Sequence, residues 1–293
     1  MRRLAVAICL VAAAQLHADE VGHAVDLTTV LHRAGERVER FFARAQSIVC
    51  LEIVRLQSLT SGWSSDGPGR TVESELRVSW EAADGDGGTS TEAQTLRRLL
   101  KVNGREPQKN DWNNCTAPEQ QSRETQPLSL LLPGQRPDYS FALAGKTRLD
   151  GRAAILVDYR LLTEVSVESQ TVEGRDDCIS FELEGGLRGR LWIDAETYDV
   201  LRLDQRLSGM VEIPVPSKVT RRAGSARYWT MERWDTTIRF KPVTFENPDE
   251  TLVLPASLTS LRVTRGSGTP RLRTVTNYKN YQRFLTAGRV VGE

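Results

Sequence analysis

The stretch GRLWIDAETYDVLRLDQRL, residues 189–207, restricts what this chain can fold into more than any other segment. Leu191 and Ile193 fall on one side of an extended backbone and Trp192 on the other. Beyond a polar break, Leu201, Leu203 and Leu207 share a side, opposite Arg202, Asp204 and Arg206. Side chains alternate with period two along a strand, so this is a strand read twice. The break from Asp194 to Asp199 carries short polar side chains able to hydrogen-bond turn backbone. The segment therefore predicts an antiparallel hairpin with one dry face and one wet face.

The same alternation recurs along most of the chain. In TVESELRVSW, Val72, Leu76, Val78 and Trp80 alternate with Glu73, Glu75, Arg77 and Ser79. Residues 47–59, 95–103, 139–147, 152–162, 228–245, 252–265 and 271–281 read as strands too. Asp150-Gly151 predicts a tight hairpin turn, and Asn103-Gly104 ends another strand. One segment, 26–45, changes period: Leu27, Val30, Leu31, Ala34, Val38, Phe41, Phe42 and Ala45 recur at three and four residues, which predicts an amphipathic helix. Asp26 suits its N-cap, and Gly35 in its middle costs about 1 kcal/mol relative to alanine. Residues 105–138, rich in Pro, Gln, Asn and Asp, predict a long loop broken by the apolar run PLSLLLPG. ADGDGGTST at 83–91 reads as a hairpin tip. With no internal repeat or linker, residues 19–293 are expected to form one domain, mainly β: a large continuous antiparallel sheet covered by the N-terminal helix.

Two arginines, an apolar run from Leu4 to Ala14 and small residues up to Ala18 make residues 1–18 a secretory signal peptide by pattern. No later run approaches the ~20 apolar residues of a membrane-spanning helix. The expected destination is the periplasm or the exterior, with no lipid anchor, because nothing around Cys9 resembles a lipoprotein cleavage box. A net charge of +1 leaves no field to steer the protein toward nucleic acid. In an oxidising compartment Cys115 and Cys178, both in polar surroundings, are the expected disulfide, and Cys50 in SIVCLEIV is expected to pack as a small hydrophobe.

The residues offer little to catalysis. His17, His23 and His32 are all near the N-terminus, so no distant histidine can activate a serine or cysteine. No His or Cys spacing suits zinc, and no glycine-rich loop suits a phosphate, so neither metal nor cofactor is expected. Glu73 with Glu75, and Glu182 with Glu184, read as the wet face of a strand before they read as a hydrolytic pair. What remains is apolar surface. Leu31, Val38 and Phe42 on the helix with Trp80, Trp192 and Trp234 on strands are candidates to line a cavity, although each taken singly reads first as core.

LDGRAAILVDYR at 149–160 followed by GRLWIDAETYDVLRLD at 189–204, behind a signal peptide and one amphipathic helix, resembles the periplasmic lipoprotein carriers of the LolA/LolB type. The tail LPASLTSLRV then TNYKNYQRF is similar to envelope proteins of that kind. The resemblance implies an unclosed half-barrel with a helical lid, and a non-enzymatic carrier for a lipid, an acylated protein or another amphiphile. The competing expectation is an envelope interaction or sensory module with a filled core, working through contacts with other envelope proteins.

Overall fold

The computed structural model describes residues 26–44, 47–82, 89–112, 127–172, 175–219, 226–246 and 249–283. The expected signal peptide, most of the 83–91 tip and Cys115 lie outside these. Helix α1 spans Leu27–Arg44 and is followed by β1 (Ser47–Ser58), β2 (Arg70–Ala82) and β3 (Thr89–Val102). After the long loop come β4 (Tyr139–Leu149), β5 (Arg152–Leu161), β6 (Ser166–Val172), β7 (Arg175–Glu184), β8 (Leu187–Asp194), β9 (Val200–Leu207) and β10 (Val211–Pro214). The chain then forms its longest strands, β11 (Tyr228–Glu246), β12 (Asp249–Arg265) and β13 (Arg271–Arg283).

Eleven strands make one antiparallel sheet in the order β3-β2-β1-β13-β12-β11-β9-β8-β5-β4, with β10 added onto β11. The terminal strands β1 and β13 pair in its middle, while β3 and β4 remain as edges, so the sheet is a half-barrel that does not close. Asp150-Gly151 and Asn103-Gly104 both take positive φ at both positions, the geometry that a two-residue hairpin turn needs to match strand twist.

The expectation of one continuous sheet is corrected at β6 and β7, which form a separate two-stranded sheet. They are held to the main sheet by side chains: Phe181 meets Trp234 edge-on at 6.2 Å, and Ser169 Oγ donates to the Pro214 carbonyl. Here Val167, Phe181 and Leu183 pack against a small core of Leu207, Val211, Ile213 and Met231.

The main core lies between α1 and the sheet. Val30, Leu31, Ala34, Val38 and Phe42 of the helix meet Ile155, Val157, Leu191, Ile193, Leu203 and Leu254 of the strands. The Asp26 carboxylate caps the helix by accepting from the Thr29 N–H and hydroxyl, at 2.9 and 2.8 Å. PLSLLLPG folds into the same core as a short turn of 3-10 helix, burying Leu128, Leu130, Leu131 and Leu132. Arg136 straps that turn to α1, donating from Nη2 to the Leu31 and Leu131 carbonyls at 3.1 and 2.9 Å.

Candidate functional site

The β8–β9 turn that made the sequence legible proves to be the helix's anchor. Asp194 Oδ1 accepts from the N–H groups of Glu196 and Thr197, and Oδ2 meets Arg152 Nε at 2.8 Å. So fixed, the turn presents the Thr197 carbonyl to Arg37 Nε at 2.7 Å and the Tyr198 ring to Arg33, 5.1 Å away. Burial works against an ionised Asp194, but the two N–H donors and the Arg152 guanidinium outweigh it and hold its carboxyl below the usual range.

Past this anchor, toward its C-terminal end, the helix leaves space above the sheet. A cavity of about 80 Å³ lies there, roofed by Phe41 and Pro127. Its walls are Ile48, Leu76, Val78, Ile238, Leu254 and Leu258; its polar corner is Cys50, Glu52, Arg97, Thr276, Tyr278 and Tyr281.

Register explains why these side chains converge. Ile48, Cys50 and Glu52 alternate on β1 and so share the inner face. Cys50 stands opposite Leu76, and Leu76 opposite Arg97, so Arg97 reaches across the row to Glu52. The two make a bidentate pair, Nε to Oε2 at 2.8 Å and Nη2 to Oε1 at 3.2 Å, with 9% and 3% of their side chains exposed. On the other flank Glu52 faces Tyr278. Tyr278 and Tyr281 are three residues apart and would point to opposite faces of a regular strand. An irregularity in the β1–β13 register, with Asn280 at φ 53°, turns both inward. Tyr281 Oη donates to the Pro255 carbonyl at 2.6 Å. Pro255 itself sits at a register shift in β12, where its missing N–H is tolerated. Burial, reinforced by the Glu52 charge, pushes the Cys50 thiol up to about 12, so this free cysteine is a neutral thiol.

The residues proposed from the sequence are distributed differently. Leu31, Val38 and Phe42 are buried in the main core, with Phe42 only 2% exposed. Trp234 packs against Phe181 under the β6–β7 hairpin. Trp192 faces away from the core beneath the Arg202 guanidinium, 4.4 Å above its ring, in a polar array with Arg190–Asp158 and Arg202–Asp204. The Trp80 side chain lies outside what is described. Cys178 is buried and disulfide-bonded, its partner lying outside the described residues. The polar corner of the cavity thus includes Glu52, Arg97, Tyr278 and Tyr281, none of which alternation alone singled out. One signal was present: Glu52 interrupts SIVCLEIV in phase with Ile48 and Cys50, which places a carboxylate on the dry side.

Among the described residues no cluster of three His, Cys, Asp or Glu could hold a metal. The fully buried carboxylates named among them, Glu52 and Asp194, are each tied to an arginine, in separate places. No described helix is long and apolar enough to cross a membrane.

No protein-family model matches the chain, and no curated protein matches it. It is similar to solved structures of the kind the sequence resembled. One is a protein domain from Vibrio parahaemolyticus described as outer-membrane lipoprotein-sorting, at 11% identity and TM-score 0.38, covering 89% of this chain and 94% of that one. A DUF1329 family protein from Desulfovibrio piger matches at 11% and 0.39, covering 90% and 95%. A LolA superfamily protein from Nitrosomonas europaea matches at 12% and 0.31, covering 89% and 96%. Likeness at this level carries nothing about activity.

Proposed function

We propose that the protein is a periplasmic binding or carrier protein that holds an amphiphile between α1 and the sheet, without performing chemistry on it. One observation carries the reading: the cavity beneath Phe41 and Pro127 is lined by apolar side chains together with a cluster of hydrogen-bonding groups. That combination suits an amphiphile. At about 80 Å³ it is smaller than the ~300–1000 Å³ of ligand pockets in general, so it takes a segment of a chain, and a longer tail extends toward the helix end. Each methylene taken from water contributes about 0.8 kcal/mol, a gain partly offset by the freedom the bound chain loses. In this reading Leu31, Val38 and Phe42 hold the helix in place, and the bound tail touches Phe41, Leu254 and Leu258 instead.

A second reading, a surface-acting envelope module with a filled core, is favoured by the close packing of Phe42 and of Trp234 with Phe181. Native mass spectrometry of the mature protein exported to a bacterial periplasm separates the two. A lipid that co-purifies and is released on denaturation supports the carrier. A clean apo mass, with no uptake of offered lipids or acylated peptides, removes that reading and leaves the surface module.

A further inference from the structure

The polar corner of the cavity says what kind of polar group it accepts. Among the described lining residues Glu52 and Arg97 carry the full charges, one of each sign, and they already engage each other in two hydrogen bonds. Around them stand neutral groups: the hydroxyls of Thr276, Tyr278 and Tyr281 and the protonated thiol of Cys50. An anionic headgroup brought here would lose its hydration, meet the Glu52 carboxylate, and have to compete with it for Arg97. A cationic one would face Arg97 in the same way. A hydroxyl or primary amide can donate to a carboxylate and accept from a guanidinium while leaving the pair intact. Resting on the amphiphile-binding reading above, we propose that the cavity selects ligands whose buried polar group is an uncharged hydrogen-bond donor and acceptor, an alcohol or amide on an alkyl chain, over fatty acids and alkylammonium ions of the same length.

The test is a titration panel on the delipidated, full mature protein at neutral pH: decanol, decanoate, decylammonium and 1-chlorodecane. The last fills similar space but donates no hydrogen bond, so it separates a polar recognition site from a merely greasy one. The expected result is decanol binding at least tenfold more tightly than each of the other three. Decanoate or decylammonium binding as tightly as decanol, or 1-chlorodecane matching it, overturns this inference while leaving the carrier reading in place. If none of the four binds, the carrier reading itself fails. Glu52→Gln gives a second arm, because it leaves the Arg97 cation uncompensated: decanoate should gain at least tenfold relative to decanol, and an unchanged ratio counts against the proposal. Should that variant not fold, the wild-type panel decides alone.

Discussion

A β-carbon added to Gly35 would stand 2.5 Å from Arg136 Nη2 and 2.8 Å from the Leu131 carbonyl oxygen. By propensity alone, Gly35→Ala should stabilise a helix by about 1 kcal/mol. The backbone oxygen cannot retreat as a flexible side chain can, so the opposite sign is expected, a loss of about 1 kcal/mol read from the urea midpoint. A raised midpoint would show that Arg136 and its loop are not held against the helix. Cys50 supplies a second residue-scale prediction. Buried, and with its pKa pushed up to about 12, it should resist maleimide at pH 8 in the folded protein and react once urea unfolds it. Sequence reasoning placed Cys50 correctly, because an apolar run is enough to bury a thiol. It missed the significance of Glu52 two residues on, since a buried carboxylate depends on an arginine from β3, and a partner 45 residues away leaves no local trace.

The β8–β9 turn is the element whose failure should be felt most widely. Asp194→Ala would leave two backbone N–H groups and Arg152 without their acceptor and loosen the carbonyl that holds Arg37, at an expected cost of about 2 to 3 kcal/mol. The carboxyl of Asp194 is held below its ordinary value in the folded protein, so its contribution is complete above the unfolded-state pKa and is lost as pH falls through the folded one. The stability gap between wild type and variant should therefore be full at neutral pH and close in strong acid, as urea midpoints measured across pH will show. A gap independent of pH would mean that the carboxylate's charge does not matter. This hairpin was legible because short polar residues separate two clean alternations. The β6–β7 pair was not, because its strands carry Ser, Glu, Gln and Thr among few apolar residues and hide only the side that meets Trp234. The irregularities at Asn280 and beside Pro255 were equally invisible, since alternation reasoning assumes a regular pleat.

Across the whole molecule, helix α1 packs on part of the sheet, the PLSLLLPG turn shares its core, and the β6–β7 hairpin packs on a second buried cluster. That overall form followed from the order of elements, since a single amphipathic helix and many half-wet strands have few ways to bury both apolar faces. Which aromatics faced inward did not follow, and Trp192 ended among the outer arginines. Phe42 joins helix to sheet in the main core, so Phe42→Ala should cost about 3 to 5 kcal/mol and be detected as a lowered thermal midpoint. Where the ligand lies can be read by photo-crosslinking the full protein with a decanol analogue bearing a diazirine along its chain, followed by peptide mapping. Labelling concentrated in residues 41–56, 252–258 and 276–281, and suppressed by excess decanol, is the predicted result. Labelling confined to the outer face around Trp192, or no saturable labelling at all, would mean that the cavity is not where a ligand binds.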